Sequence, residues 1–349
     1  MTLNSVILNP LPEDHISCQV PPALRPGDKV MVMAPSRAVE QAELKQWSSW
    51  MQERGYQVLY GASIGVRDHQ LAGNDALRSQ DLQNALNNPE IRAVFFARGG
   101  YGAARILDQI QWQILKAEPK WLCGYSDATA ILNHAHATTG LVSIHGPMPF
   151  QFSPNEDWEH TLQLMEGLLT PKDPTNTQET DHYLEPFYTF EPHVLSKHDP
   201  ATLWPMQGKL IGGNLSVLYS LLGSGSLPPS TGCILIVEDL DEYLYHLDRM
   251  WLALQRSGYL HNLRGILLGD FTGMRDHAIP FGRDPQEIAL ERIQFCRTSH
   301  QHGIPCITGI PFGHGLKNSP LPLGSSVTLN SNGLSLHGNP NLKTKSNKG

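Results

Sequence analysis

Three times in the first 130 residues a short run of apolar residues stops at a loop of small residues and gives way to helical spacing. The runs are Val30-Met31-Val32-Met33 before Ala34-Pro35-Ser36, Ala93-Val94-Phe95-Phe96-Ala97 before Arg98-Gly99-Gly100-Tyr101-Gly102, and Trp121-Leu122-Cys123 before Gly124-Tyr125-Ser126. None alternates polar with apolar, so each must be buried on both faces, as strands of a parallel sheet covered by helices are. The spacers agree: Leu44, Trp47 and Met51 share one helical face, and Leu77, Leu82 and Leu86 recur through the next helix. Repetition of strand, loop and helix fixes an α/β class, and in such sheets ligands bind beyond the carboxyl ends of the strands. The 98–102 loop and Ser126 both fall there.

Two readings stand for each of these loops. The paired glycines Gly99-Gly100 allow close backbone approach and can aim N–H groups at an anion, or they make a tight turn. They are not a dinucleotide fingerprint, because G-x-G-x-x-G is not completed and no acidic residue ends a suitable second strand. Ser126 either caps the helix that begins near Asp127 or stands at a nucleophile elbow, lifted clear of the sheet beside free helix N–H groups. The match to G-x-S-x-G is partial, since Ala128 takes the place of the second glycine.

Further on, Leu141 to Met148 reads as a short strand and loop that contains His145, which is read as a satisfied near-core histidine. Residues 166–205, rich in Pro, Thr, Asp and Glu, read as a connection between domains. Gly208–Asn214 opens a second domain, a helix follows from about Leu215 to Leu222, and strands come at Cys233–Val237, Gly265–Phe271 and Ile304–Thr308, with a hairpin around Asn332-Gly333. The strand at 233–237 delivers Glu238-Asp239 at its end, either solvated at the sheet edge or placed in a site. His314 lies between glycines in a loop after the last of those strands. The expected organisation is a loosely ordered segment 1–22, a domain 23–165 carrying Ser126, the connection 166–205, a domain 206–340 carrying Glu238 and His314, and a disordered tail 341–349.

Composition removes several function classes. A net charge of −7 without a basic block gives no electrostatic reason to expect nucleic acid or an anionic membrane. No apolar run is long enough to span a bilayer, and residues 1–22 lack the charged start and apolar core of a secretory signal, so the expectation is a cytoplasmic protein. Five scattered cysteines without a C-x-x-C pair read as buried, reduced thiols. No H-E-x-x-H or other ligand cluster points to a metal, and no cofactor is expected.

A serine, an acid and a histidine are the parts of nucleophile, orienter and base. With sixteen histidines, spacing alone does not single out His314. Taken together, however, Ala97-Arg98-Gly99-Gly100-Tyr101-Gly102, Gly124-Tyr125-Ser126-Asp127, His145-Gly146-Pro147-Met148, Ile211-Gly212-Gly213-Asn214, Glu238-Asp239 and Phe312-Gly313-His314-Gly315 with Leu321-Pro322-Leu323-Gly324 strongly resemble the LD-carboxypeptidase family. That family of serine peptidases includes the microcin C immunity peptidases. The likeness runs from about Gly27 to Leu336. It implies an N-terminal parallel-sheet α/β domain and a smaller C-terminal α/β domain with the active site between them. It also implies Ser126 as nucleophile, Glu238 as acid, His314 as general base, and an oxyanion hole made by the backbone N–H groups of Gly100 and Asp127. The implied reaction removes a C-terminal D-amino acid, typically the D-alanine of a cytoplasmic murein tetrapeptide, and family members are commonly homodimers. Two alternatives remain at this point: a microcin-type peptidase acting on a peptide-nucleotide or acyl-sulfamoyl adenylate, for which Trp204 is the suspected stacking residue, and a non-catalytic small-peptide-binding protein. Arg98 is the nearest cation in sequence for a substrate carboxylate, or else a support for its own loop.

Overall fold

A computed structural model describes residues 18–152, 156–169, 188–199, 203–294, 296 and 303–336. The expectations for residues 1–17 and for the tail 341–349 lie outside the described residues, as does most of the 166–205 connection. Within the segment expected to be loose, Gln19 already bridges Leu141.

The apolar runs form the first sheet. Its strands are β1 (Lys29–Met33), β2 (Gln57–Tyr60), β3 (Ile91–Phe96), β4 (Trp121–Gly124) and β5 (Ser143–His145), all mutually parallel. The spatial order places β1 between β2 and β3. The chain therefore runs outward in one direction from β1 and then in the other, which opens a crevice at the carboxyl ends of β1 and β3. Into that crevice come the loops that carry Ser36 and Gly99, joined by a bond from the Arg37 amide to the Gly99 carbonyl at 3.3 Å.

The second sheet has eight strands: β6 (Tyr188–Thr189), β7 (His193–Val194), β8 (Met206–Asn214), β9 (Cys233–Leu240), β10 (Gly265–Thr272), β11 (Cys306–Thr308) and, after β12 (Leu321–Leu323), the hairpin of β13 (Ser326–Asn330) and β14 (Gly333–Leu336). Its centre, β8-β9-β10-β11, is parallel, whereas β7 on one side and β13, β14 and β6 on the other run antiparallel. Helix Leu244–Arg256 packs against it through Leu247, Met250, Trp251 and Leu254, the i, i+3, i+4, i+7 stripe of an amphipathic helix.

β12 was not foreseen. It leaves the second half of the chain and pairs antiparallel with β5 at the margin of the first sheet, Leu321 opposite His145. Three residues with a central proline carry too little pattern to read as a strand, and an edge is where a sheet tolerates proline. Helix Thr129–Thr139 lies between the two sheets and is buried on nearly every side. Its Asn133 amide donates to the Gly212 carbonyl at 2.9 Å, and Thr129 Oγ1 accepts from the Asn214 amide at 3.1 Å. The close approach requires glycine at 213, where φ is +130° and a Cβ would stand 2.6 Å from Thr129 Oγ1.

Candidate active site

Ser126 follows β4 in a strand, turn, helix arrangement, and its φ of +58° places a non-glycine residue in the left-handed region. Such strain persists only where the surroundings enforce it, and it lifts the side chain off the sheet. The capping reading is set aside by the geometry. Tyr125 is the residue that precedes the first turn, Ala128 precedes the helix proper, and neither end has a side-chain cap. The incomplete motif has a steric explanation: a Cβ on Gly124 would lie 3.1 Å from that of Ala128, so the turn accepts a methyl at position 128 only because 124 has none.

The Asp127 carboxylate is buried and bonded to the neighbouring loops. Its Oδ2 accepts from Ser36 Oγ at 2.5 Å and from the Ala103 amide at 2.8 Å, which ties the elbow to the glycine loop. Burial raises its pKa, with these donors opposing. The Asp127 amide lies in the first helical turn, where N–H groups have no intrahelical acceptor. In the glycine loop, Gly99 is the residue against the serine: a Cβ there would stand 2.9 Å from Ser126 Cβ and 3.0 Å from Oγ. Gly100, with φ of +116°, backs onto the Arg37 side chain, which a Cβ would meet at 2.5 Å. Both glycines are required, one by the serine and one by the arginine. Arg98 reaches the Ala38 carbonyl at 3.4 Å and lies 4.5 Å over the Phe150 ring, so its contacts are those of a loop support.

The other half of the site comes from the second sheet. Glu238, near the end of β9, is fully buried and pairs through Oε2 with His314 Nδ1 at 2.7 Å. The histidine sits in the loop between β11 and β12, where Gly313 at φ +110° is the only residue type that fits. A Cβ there would be 2.8 Å from Glu238 Cβ and 2.9 Å from Oε2. Gly315 likewise leaves room for the Asp270 carboxylate, which accepts from its amide at 3.2 Å. The neighbouring Asp239 accepts from Asn214 Nδ2 and from the Ser216 and Leu240 amides, and so holds the β8 to helix junction.

Electrostatics follow from burial and pairing. Burial alone would raise the pKa of Glu238, but the imidazoles of His145 and His314 outweigh it and hold the carboxyl at about 2. Burial likewise pulls His314 down, and Glu238, helped by Asp239 and Asp270, more than restores it, so its pKa is raised. Asp239 is pushed up to about 7, first by burial and then by the charge of Glu238.

The two halves meet at Tyr125. Its ring centroid lies 4.7 Å from that of His314, which puts the imidazole beside the residue that precedes Ser126. Among the described residues Ser126 Oγ makes no hydrogen bond. The pair Glu238–His314 is formed, and the elbow is adjacent to it. One member of the cluster was misread in part. His145 is buried, as expected, but neither of its ring nitrogens has a hydrogen-bond partner, and Nε2 faces Glu238 Oε1 at 3.8 Å. Its position in an apolar strand announced burial and could not announce what it would face. Among the described residues no group of three or more His, Cys, Asp or Glu could hold a metal ion, and no helix is long and apolar enough to cross a membrane.

Comparison with known proteins gives this arrangement a context. Residues 30–146 match the LD-carboxypeptidase N-terminal domain, and residues 207–329 match the LD-carboxypeptidase C-terminal domain. A putative carboxypeptidase of Synechocystis sp. is 32% identical over 330 residues, 92% of this chain and 97% of the relative. The murein tetrapeptide carboxypeptidase of Pseudomonas aeruginosa is 30% identical over 316 residues, 88% of this chain and 94% of its own. Among solved structures, the muramoyltetrapeptide carboxypeptidase from Oxalobacter formigenes superposes with a TM-score of 0.71 at 27% identity, covering 89% of this chain and 99% of that one. The microcin C7 self-immunity protein MccF, in complex with aspartyl sulfamoyl adenosine, gives a TM-score of 0.75 at 22% identity over 92% of this chain and 98% of that one, a likeness of fold alone.

Proposed function

The chain belongs to the LD-carboxypeptidase family, and from that premise we propose that it is a serine-type carboxypeptidase that hydrolyses the L,D amide bond before a C-terminal D-amino acid. The proposed substrate is a murein tetrapeptide that loses its D-alanine. The observation that carries the reading is the buried 2.7 Å pair of Glu238 with His314 Nδ1, set beside an elbow serine with positive φ.

An ionised Glu238 accepts from His314 Nδ1–H, which leaves Nε2 as the basic nitrogen. As Ser126 Oγ attacks the carbonyl carbon, Nε2 takes its proton, and the Glu238 charge stabilises the imidazolium that forms. The carbonyl oxygen becomes an oxyanion held by the amides of Gly100 and Asp127, donors of a kind typically worth about 3 to 4 kcal/mol each. The imidazolium then gives its proton to the departing amine of the D-amino acid, the C–N bond breaks, and an ester on Ser126 remains. Water, deprotonated by the same nitrogen, hydrolyses the ester and restores the serine. On the same reading the protein works in the cytoplasm as a homodimer.

A nucleotide-directed activity would want Trp204 as an open stacking face, whereas Trp204 is half-buried against the main apolar cluster. The test is mass spectrometry of the protein incubated in parallel with L-Ala-γ-D-Glu-meso-diaminopimelate-D-Ala and with an aminoacyl sulfamoyl adenosine. Release of D-alanine at the higher kcat/KM supports the proposal. Preferential cleavage of the nucleotide overturns the substrate, and cleavage of neither overturns the activity.

A further inference from the structure

Glu238 has two oxygens, and the mechanism above uses one. Oε2 belongs to His314, while Oε1 is buried without a hydrogen-bond partner. The group that faces Oε1 is His145 on β5, whose side chain is fully buried and whose two nitrogens are both unpartnered. A buried polar atom left unpaired forfeits the hydrogen bond that water would have given it, which costs stability. Two of these atoms, His145 Nε2 and Glu238 Oε1, face each other, which points to an interaction that the resting geometry leaves slightly open. The separation of 3.8 Å from Nε2 to Oε1 exceeds a hydrogen bond by under 1 Å, a gap that small side-chain rotations close. Hydrogen bonds at catalytic sites are often long before substrate binds and shorten in the complex.

The ring has little freedom to face elsewhere. Tyr125 packs on it edge-on at 5.8 Å between centroids and Phe312 at 6.0 Å, and a Cβ at Gly213 would stand 3.3 Å from its Cδ2. Its backbone is fixed between Gly124 on β4 and Leu321 on β12. The ring is thus clamped by both halves of the molecule and aimed at the acid.

We propose that His145 is a positioning residue of the reaction: its Nε2–H holds the second oxygen of Glu238, so that the carboxylate is gripped by one histidine from each half of the molecule and presents Oε2 to His314 at a fixed angle. This rests on the serine-peptidase reading and adds to it a residue that touches neither substrate nor oxyanion. It also makes the orientation of the acid depend on the docking of the two halves, since the acid belongs to one and this histidine to the other. The ionisable groups around the pair are His314 from the loop after β11, Asp239 on β9, Asp270 on β10 and Tyr125 before the elbow. None of them touches Oε1 at hydrogen-bond distance.

The test has two arms. In the unmodified protein, nitrogen-15 NMR of the histidine rings reports which nitrogen of His145 carries its proton. Protonated Nε2 is expected, and a ring protonated only on Nδ1 overturns the proposal, because it has nothing to donate to Oε1. In the second arm, His145→Leu and His145→Gln are compared by pH-rate profiles on the tetrapeptide. A residue that orients a working group costs about ten- to a hundredfold when removed. His145→Leu is therefore expected to lose that much kcat with KM little changed. The acid limb of kcat/KM should move to higher pH, because a carboxylate with one donor fewer attracts the His314 proton more strongly. His145→Gln, which keeps an N–H, is expected to recover most of the rate and the wild-type limb. Unchanged kcat in His145→Leu, or equal losses in both variants with the wild-type limb, would overturn the role. If the unmodified protein does not cleave the peptide, the serine-peptidase reading fails, while the ring tautomer still reports on the contact.

Discussion

A carboxyl group as deeply buried as Glu238 would ordinarily protonate; here it stays ionised down to about pH 2 because imidazoles face it. Its replacement by glutamine keeps the shape and removes the charge that steers His314. Kinetics on the tetrapeptide should show kcat for Glu238→Gln lower by on the order of 10⁴-fold, the loss known when the acid of such a triad is neutralised. The pH dependence has a definite sign. A neutral His314 is needed as base, and its pKa is raised above the ordinary 6.5, so the acid limb of kcat/KM lies above 6.5 in the wild type and falls in Glu238→Gln. Stability is linked to the same group. Glu238 is depressed from 4.5, so its contribution is present above that value and drains away as pH falls toward 2, which acid titration of the unfolding free energy would register. Gly313→Ala forces a methyl against Glu238 at a backbone angle of +110°, a strain of about 1–3 kcal/mol. Urea unfolding should show that loss together with a larger fall in kcat, because the relaxation displaces His314. At this scale the sequence put Ser126 and Glu238 at strand ends and His314 in a glycine-flanked loop, but it took the family resemblance to choose one histidine among sixteen. The second histidine on the acid was invisible, since the two residues lie 93 positions apart and meet only after both sheets form.

The elements that position the site are those with the plainest signals. β1, β3, β4, β9 and β10 each contain a short continuous apolar run, and burial on both faces is all that such runs permit. The elements that join the halves are the obscure ones. β12 is hidden by its length and its proline, and the pair Gly212-Gly213 carries no strand signal although both residues belong to β8, with φ of +118° and +130°. Helix Thr129–Thr139 makes glycine necessary at 213 and the Ile236 carbonyl of β9 does so at 212, and no local pattern records approaches between segments so far apart in the chain. Asn133 is the clearest probe of that seam. Its amide serves the Gly212 carbonyl across the two halves at 2.9 Å and the Thr129 carbonyl at 2.8 Å within its own helix. Asn133→Ala leaves the buried Gly212 carbonyl without this donor and should cost about 1–3 kcal/mol in urea unfolding. Because the same helix follows Ser126, kcat should fall as well.

Chains of this length commonly unfold in stages, one domain at a time. Here one apolar cluster runs through both sheets, from Met33, Phe96 and Ile131 to Leu210, Ile236 and Leu323, and β12 crosses from one half into the other. Hydrogen exchange followed in increasing urea should therefore place the amides of β3 and of β9 on a single unfolding curve; two separate curves would mean that the halves are independent. The two-sheet α/β plan was legible because it follows from local patterns repeated along the chain. The shared core was not, because it depends on which apolar faces meet. That union is what carries Glu238 and His314 to the elbow, and the central claim is that Ser126 is activated there. Its most direct measurement is tandem mass spectrometry of the protein after reaction with a fluorophosphonate, comparing wild type with Glu238→Gln. The account predicts one adduct, on the Ser126 hydroxyl, formed far more slowly in the variant. An adduct on another residue, or labelling of Ser126 at the same rate without the Glu238 charge, would contradict it.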